Sequence, residues 1–386
     1  MIQEIAVDCL SEGLYVVEIE NAKGRLRVSQ PGRIRSLELV EKMKQSGVRR
    51  AWVDFDQSDL TSYVPNLQGK RERPKKTASL NVELKRAETI LSESKDLLGK
   101  AIDGLYQGRE IDIEPINALS ESIVDSIGCN PDAIQCVAAL REKDAYLLEH
   151  SLNVSFLMVS FGRYLGFDHS VLKQLAIGGV LHDVGKTKVN IEVLNKPARL
   201  TDEEFEHMKL HQVLSEPILD KIPGLSEMSR QVSLLHHEKL DGTGYPRGLK
   251  GDEISLVGRM SAIADIYDAL TASRCYKEAM SPAAAFKILK SMAPHQIDGD
   301  LLNEFIRCVG VYPVGSLVAL NDGRAGLVWE SNEEKPLAPI VKCFYSVKHK
   351  HYIDVEIVDV AAMKDLRVEG GLSPGAENID PSPYRK

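Results

Sequence analysis

The sequence predicts a mainly α protein with a small α/β domain at its N-terminus and a short β appendage at its C-terminus. Three observations favour this fold class. Residues 131–311 keep the hydrophobic spacing of helices almost throughout. Residues 1–65 alternate strand-like and helix-like segments, and short β-rich runs separated by turns follow residue 312. A chain of 386 residues is also long enough for two or three domains.

Composition and charge exclude several classes of protein. The chain is 43% hydrophobic and 27% charged, as in ordinary soluble proteins. A formal net charge of −8 argues against DNA or RNA as a partner, because phosphate backbones select basic surfaces. The six cysteines form no CxxC pair, and we interpret them as reduced thiols. Because no signal peptide and no run of roughly 20 apolar residues occurs, we expect a cytoplasmic protein without a membrane span.

The first domain, residues 1–65, is predicted to contain three strands and one helix. The strands are LYVVEIE (14–20), RLRV (25–28) and VRRAWVDF (48–55), and SLELVEKMKQ (36–45) has helical spacing. No acid–base or ligand cluster occurs in this domain. We therefore interpret it as regulatory or structural.

A linker and two helices are predicted next. Residues 66–80 are polar and charged and include Pro74, which indicates a solvated linker; nucleic-acid binding by this basic run is the less favoured alternative. Residues 81–130 are predicted connecting helices, because apolar residues recur at helical spacing from Leu80 to Leu105 and again around Pro115 to Ile127. These helices either couple the first domain to the rest of the chain or merely pack against it.

The segment after the helical region is predicted to form a small β extension, residues 313–360. The glycine- and proline-rich end, residues 361–386, predicts a loose tail. The predicted strands of the extension are SLVAL (316–320), GLVWE (326–330), IVKCFYS (340–346) and YIDVEIV (352–358).

Histidines and aspartates gather in the helical region. Taken singly, a histidine on an apolar helix is more often a hydrogen-bonded core residue than a metal ligand. His207 and His211, four residues apart, would also fit a different local metal site, although His207 lies in a charged run. The candidate ligands are His150, His182, Asp183, His211, His236, His237 and Asp265.

Taken together, these residues predict a metal centre. Asp183 and Asp265 are carboxylates embedded in apolar sequence, where an unpaired charge is costly. A cation held by them and by neighbouring imidazoles would satisfy both. The adjacent His182 and Asp183 can supply one terminal ligand and one carboxylate that is shared by two ions. A mixed nitrogen and oxygen ligand set without thiolates favours iron or manganese over a structural zinc.

Two motifs carry a resemblance to a known family. His182–Asp183 followed by Gly185 and Lys186, together with HHEKLDGTGYP at 236–246, resembles the HD-GYP family, a branch of the HD phosphohydrolases. The resemblance implies an α-helical-bundle HD-type metallohydrolase domain over residues 131–312. It also implies hydrolysis of cyclic dinucleotides, chiefly cyclic di-GMP, with cyclic GMP–AMP as the alternative. Residues 1–65 resemble the small N-terminal domain that is often fused to such proteins.

The same resemblance implies cofactors and roles. Two divalent ions per chain, iron or manganese, would be held by the seven candidate ligands. Asp183 and Lys186 would be catalytic, the first shared by both ions and the second neutralising phosphate charge during attack by a metal-bound hydroxide. Electrostatic capping of a helix end is the alternative role of Lys186. Tyr245, Arg274 and Lys277 would bind the substrate, which would be opened to the linear dinucleotide, with mononucleotide as a further product.

Other interpretations stay open at this point. The chain could be a non-catalytic sensor of a cyclic dinucleotide that signals through its first domain, or an HD hydrolase of another phosphoester such as a nucleotide alarmone. The complete ligand set argues against the first, and the GYP loop argues against the second. Tyr146 stands one turn before His150, where some family members carry a glutamate for a third ion, so we expect two ions. A homodimer or a signalling-protein partner is also compatible with the sequence.

Overall fold

The described part of the protein is mainly α-helical, with one small antiparallel sheet near each end of the chain. This architecture confirms the predicted fold class. Most of the predicted linker, residues 66–75, lies outside the described residues. The structure is a computed structural model that describes residues 2–7, 10, 13–54, 57–58, 76–138, 146–272, 279–332, 334–373 and 379–384.

The N-terminal sheet has four antiparallel strands in the order β1–β4–β2–β3. Val40 of its helix is buried in the same hydrophobic core as Leu14, Val16 and Val53 of the strands and their connections. The three predicted strands and the helix are present, and the first strand was not predicted. The bounds are Ile2–Ala6 (β1), Tyr15–Asn21 (β2), Gly24–Arg33 (β3), Leu37–Gln45 (α1) and Arg50–Asp54 (β4).

The central helical region packs around a core of apolar side chains. Leu152, Phe161, Leu175, Ile263 and Phe305 are among its fully buried residues. Burial of such side chains is the main stabilising contribution to a helical bundle. The helices are Leu80–Tyr106 (α2), Ile113–Cys129 (α3), Pro131–Ala138 (α4), Tyr146–Tyr164 (α5), His169–Leu181 (α6), Ile191–Leu194 (α7), Asp202–Leu219 (α8), Glu227–Leu235 (α9), Leu256–Thr271 (α10), Pro282–Met292 (α11) and Gly299–Val309 (α12).

The long helix α2 contacts the part of the bundle that carries the candidate ligands. Lys95 of α2 forms an ion pair with the buried Glu149 of α5, with 2.7 Å between Nζ and Oε1. At the end of α2, the backbone carbonyl of Leu105 accepts a hydrogen bond of 3.1 Å from Lys188. Lys188 belongs to a 3₁₀ segment, Val184–Lys188, directly after His182 and Asp183. Helix α2 therefore packs directly against the candidate site.

The C-terminal sheet has five antiparallel strands in the order β8–β7–β6–β5–β9. Its first four strands confirm the predicted β runs, but the prediction of a loose tail from residue 361 is wrong for part of that segment. Val368–Gly371 pairs with β5, and Ile379 is buried against Phe344 and its neighbours. The strands are Leu317–Leu320 (β5), Arg324–Glu330 (β6), Ile340–Ser346 (β7), His351–Asp359 (β8) and Val368–Gly371 (β9).

A buried carboxylate joins three parts of the chain. Asp132 of α4 accepts a hydrogen bond of 2.7 Å from Lys76, at the end of the predicted linker. The same carboxylate accepts hydrogen bonds from the backbone N–H and the hydroxyl of Ser331, which follows β6. This contact fixes the C-terminal sheet to the helical region.

None of the helices in the described ranges is long and apolar enough to cross a membrane.

Candidate metal centre and active site

Three of the candidate histidines are oriented in the same way by their own helices. The Nδ1 atoms of His182, His211 and His236 lie 2.8, 2.7 and 2.8 Å from the backbone carbonyl oxygens three residues earlier in the chain. Such a contact requires Nδ1 to carry the proton, because a carbonyl oxygen only accepts. Each Nε2 atom therefore presents a lone pair to the interior of the site, as a metal ligand does.

His150 of α5 is oriented by a carboxylate instead. Its Nδ1 atom lies 2.8 Å from Oδ2 of Asp268, and both residues are buried. Its Nε2 atom lies 3.0 Å from Oδ1 of Asp265 and 3.2 Å from Nε2 of His182. Asp265 and Asp268 are three residues apart on α10, so one face of that helix supplies both carboxylates.

Asp183 lies between two groups of imidazoles. Its Oδ2 atom is 3.3 Å from Nε2 of His182 and 3.5 Å from Nε2 of His150. Its Oδ1 atom is 3.5 Å from Nε2 of His211 and 3.9 Å from Nε2 of His236. Oδ1 is buried and has no hydrogen-bond donor among the described residues. A buried carboxylate oxygen without a donor is costly, and a cation on that side would satisfy it.

Asp265 is the remaining carboxylate of the cluster and lies between His150 and His237. Its Oδ1 atom faces His150, and its Oδ2 atom lies 3.7 Å from Nδ1 of His237. The structure thus brings all seven candidate ligands into one cluster. Ligand atoms in each of two groups lie within 4.8 Å of one another, close enough to hold a metal ion; the groups are His150, His182 and Asp183, and His211, His236 and His237.

The chemistry of the second group fits a cation. Burial lowers the pKa of His211 to about 4 and that of His237 to about 3. Burial also holds the pKa of His236 well below its usual value. All three imidazoles are therefore neutral near pH 7, which is the form that binds metal ions.

His150 has the opposite shift. Burial lowers its pKa, but the carboxylates of Asp265 and Asp268 outweigh burial and raise the pKa to about 9. For Asp183, burial alone would raise the pKa. The ammonium of Lys186 and, to a smaller extent, His182 outweigh burial and hold the pKa of Asp183 well below its usual value. The carboxylates of the cluster are therefore ionised at neutral pH, and a cation bound at His150 would have to displace a proton.

Lys186 is held beside Asp183 by close backbone packing. Its Nζ atom lies 2.5 Å from Oδ2 of Asp183. The intervening Gly185 has no room for a side chain, since a Cβ atom would lie 2.0 Å from the backbone oxygen of His211. The Gly185 N–H donates to the Ser215 hydroxyl at 3.0 Å. Glycine at this position therefore lets the Asp183–Lys186 segment pack directly on α8.

The GYP loop forms one wall of the site. The Tyr245 ring lies 4.6 Å from the His237 ring, centre to centre, at an angle of 30°. The buried carboxylate of Glu238 accepts hydrogen bonds from the backbone N–H groups of Arg247 and Leu249, at 2.8 and 3.0 Å. Gly244 lies so close to the backbone of Glu238 that a Cβ atom would come within 2.5 Å of it. The loop is thereby fixed with Tyr245 beside the candidate metal ligands.

Several other predicted residues lie elsewhere or are not described. Arg274 and Lys277 lie outside the described residues, as does the side chain of Tyr146. His207 is separate from the cluster: its Nε2 accepts the backbone N–H of Asn190 at 3.4 Å. The structure therefore does not support a local site at His207 and His211.

Four residues near the cluster were missed by sequence reasoning. Asp268 and Glu238 are buried acids that orient a ligand and a loop, and their position within apolar or motif sequence was a usable signal. Lys209 lies over the Tyr245 ring at 5.6 Å, and the buried Gln212 lies next to two of the imidazoles. Neither of these two had a signal in the sequence, because both depend on how α8 and α9 pack.

Comparison with known proteins agrees with this geometry. An HD domain family model matches residues 135–301, and a domain of unknown function, DUF3391, matches residues 2–116. Cyclic di-GMP phosphodiesterase PA4108 of Pseudomonas aeruginosa is 32% identical over 330 residues, which cover 83% of this chain and 79% of that protein.

Two further proteins are similar over different shares of their length. The 3'3'-cGAMP-specific phosphodiesterase 3 of Vibrio cholerae is 34% identical over 197 residues, 51% of this chain and 41% of that protein. A solved structure of Bd1817, an HDG"Y"P protein from Bdellovibrio bacteriovorus, covers 79% of this chain and 98% of its own, at 16% identity and a TM-score of 0.48. With the HD and GYP motifs in one cluster and a relative that matches over most of both chains, this chain belongs to the HD-GYP family, a branch of the HD-domain proteins.

Proposed function

We propose that this chain is a metal-dependent phosphodiesterase that hydrolyses cyclic dinucleotides to the linear dinucleotide. One observation carries the proposal: the buried Asp183 carboxylate directs one oxygen to each of two imidazole groups, and the oxygen on one side has no donor among the described residues. Relatives named as cyclic di-GMP and 3'3'-cGAMP phosphodiesterases support this substrate class.

The ligand set supports two divalent ions per chain, with iron or manganese favoured by the mixture of imidazole and carboxylate. When bound, such a pair of ions lowers the pKa of water and withdraws charge from phosphate oxygens. Asp183 would be shared between them. The first ion would be held by His150, His182, Asp183 and Asp265, and the second by Asp183, His211, His236 and His237.

The protein's own groups would orient the substrate and balance its charge. Lys186, half-buried beside Asp183, is positioned to neutralise a non-bridging phosphate oxygen as negative charge builds on it. Tyr245 presents an aromatic face next to His237, on which a base or a sugar can lie. Burial, with the charges of Asp265 and Asp183, raises the pKa of Tyr245 and keeps its hydroxyl protonated.

The second phosphate and the bases would be recognised by Arg274 and Lys277, which remain predictions from the sequence. They follow Asp265 by nine and twelve residues. Lysine offers a point charge in place of the two-pronged contact of arginine, so guanine recognition would rest mainly on Arg274. Both cyclic di-GMP and cyclic GMP–AMP are therefore included as substrates in the test.

The experiment is turnover by protein purified without oxygen and supplied with iron or manganese. Cyclic di-GMP, cyclic GMP–AMP and a guanosine alarmone are offered separately, and products are separated by chromatography. We expect linear dinucleotide from at least one cyclic dinucleotide and none after removal of metal by chelation. Binding of both cyclic dinucleotides without hydrolysis in the fully loaded protein would contradict the proposal, as would hydrolysis of the alarmone alone.

A further inference from the structure

Gln212 lies against the second imidazole group, next to His211 on α8. Its side chain is 1% exposed. The amide nitrogen lies 3.0 Å from Nε2 of His211 and 3.1 Å from Nε2 of His236. Both imidazoles carry their proton on Nδ1, which donates to a backbone carbonyl, so both Nε2 atoms are acceptors. The amide of Gln212 therefore lies against the same lone pairs that would bind the ion.

The other end of this amide is unsatisfied. Oε1 of Gln212 is buried and accepts no hydrogen bond within the described part of the chain. Buried amide oxygens normally accept a hydrogen bond, so the unused lone pairs of this oxygen are free to bind a cation. The amide nitrogen of Gln212 therefore has hydrogen-bond acceptors only while the lone pairs of His211 and His236 are free.

Binding of a cation by His211 and His236 would reverse which end of the Gln212 amide has a partner. Once the ion takes the lone pairs of His211 and His236, the amide nitrogen loses both acceptors and its protons lie near a positive charge. Half a turn of the terminal amide exchanges its nitrogen and oxygen without moving the helix. The oxygen, which has unused lone pairs, then faces the cation, and an amide oxygen is a suitable donor to Mn²⁺ or Fe²⁺.

We propose that Gln212 is a further ligand residue of the second metal ion, contributing Oε1 beside His211, His236, His237 and Asp183. The inference rests on the two-ion site proposed above and extends it by a residue outside the HD and GYP motifs. The alternative is a glutamine that only fills space and keeps its nitrogen toward the imidazoles. The two differ in the effect of Gln212 on the affinity of the second ion.

The experiment measures ion binding rather than activity. Chelator-treated full-length protein is equilibrated by dialysis against increasing Mn²⁺, and the bound metal is counted for wild type, Gln212→Leu and Gln212→Glu. We expect wild type to bind two ions and Gln212→Leu to bind the first ion normally and the second at least about tenfold more weakly. Gln212→Glu keeps an oxygen at this position and should bind the second ion at least as tightly as wild type.

A second signal and a matched control make the result decisive. In the Co²⁺-loaded protein, the visible absorption of the second ion should change in Gln212→Leu, because one oxygen ligand is lost. Gln231→Leu on α9 is the control, since Oε1 of Gln231 is also buried without a partner among the described residues but its amide nitrogen donates to Glu227, away from the imidazoles. This variant should bind both ions as wild type does.

Two outcomes overturn the inference. One is wild-type affinity for the second ion in Gln212→Leu; the other is a loss in Gln212→Glu as large as that in Gln212→Leu. If Gln212→Leu does not fold, a second-ion affinity of Gln212→Glu at least about tenfold weaker than that of wild type overturns the inference, and an affinity equal to or tighter than that of wild type supports it. Failure of wild type itself to bind a second ion would instead refute the two-ion site of the proposed function, so the two failures are distinguishable.

Discussion

Asp183 is the residue whose loss should affect both proposed ion positions at once. Its two oxygens face different imidazoles, so Asp183→Ala should lower bound metal at both positions and abolish hydrolysis of cyclic dinucleotides. Metal content by mass spectrometry and turnover are measured on the same preparation. Two tightly bound ions together with wild-type turnover in this variant would remove Asp183 from the centre of the mechanism.

Lys186 should behave differently from Asp183. Lys186→Ala removes a charge beside the proposed phosphate position without removing a candidate metal ligand, so we expect unchanged metal content and a kcat lower by about 100-fold. Lys188→Ala, on the same 3₁₀ segment but exposed and directed to the carbonyl of Leu105, is the control and should retain its rate. Loss of metal in Lys186→Ala would show a structural role instead.

The candidate metal ligands could be picked out from the sequence because histidines and aspartates are unusual in apolar helices, and four of them lie in the local HD and GYP motifs. The contacts that orient these candidate ligands could not be predicted from the sequence. His150 and Asp268 are 118 residues apart, and their contact depends on the packing of α5 against α10. Its place in an apolar helix marks Asp268 as an unusual acid, but the sequence does not show which ligand it orients. Gln212 is a similar case, since only the approach of α9 gives its amide a second imidazole.

The GYP loop is held in place by Glu238, and this contact can be tested by mutation. Glu238→Ala removes the acceptor of two loop N–H groups and should let Tyr245 move away from His237. We expect KM for the cyclic dinucleotide to rise by about an order of magnitude while bound metal stays at the wild-type level. Glu216→Ala is the control, because the Glu216 carboxylate pairs with the exposed side chain of Arg247 and not with the backbone of the loop. An unchanged KM in Glu238→Ala would show that the loop is held by other contacts.

Secondary structure was predictable where hydrophobic patterning is strong. The strands β5 to β8 follow the predictions. Strand β9 was missed because VEGG (368–371) has almost no β-forming side chains, and its position depends on pairing with β5, about fifty residues earlier. Strand β1 depends in the same way on β4. Pairing partners that are distant in sequence leave little local signal.

Asp132 connects the end of the linker, helix α4 and the C-terminal sheet. Removing this carboxylate in Asp132→Ala leaves the ammonium of Lys76 and the N–H of Ser331 without their shared acceptor. We expect the free energy of unfolding to fall by about 2 kcal/mol, measured by urea denaturation of the metal-loaded protein. Asp125→Ala, an exposed acid on α3, should change it by less than about 0.5 kcal/mol. Equal stability of the two variants would contradict this role of Asp132.

The division of the chain into domains at residues 65, 80, 130, 312 and 360 remains a prediction from the sequence. What the sequence could not provide is how the segments contact each other. The pair Lys95–Glu149 and the Asp132 contact join segments that are separated by more than fifty residues. Such contacts follow from the packed bundle and have no motif of their own.

The central claim is that cyclic dinucleotides are hydrolysed by a pair of ions shared through Asp183. The most direct measurement is turnover of cyclic di-GMP and cyclic GMP–AMP as a function of the number of Mn²⁺ or Fe²⁺ ions bound per chain, from chelator-treated protein to saturation. The account predicts little turnover up to one ion per chain and a steep rise to a maximum at two. Full turnover at one ion, or none at two, would contradict it.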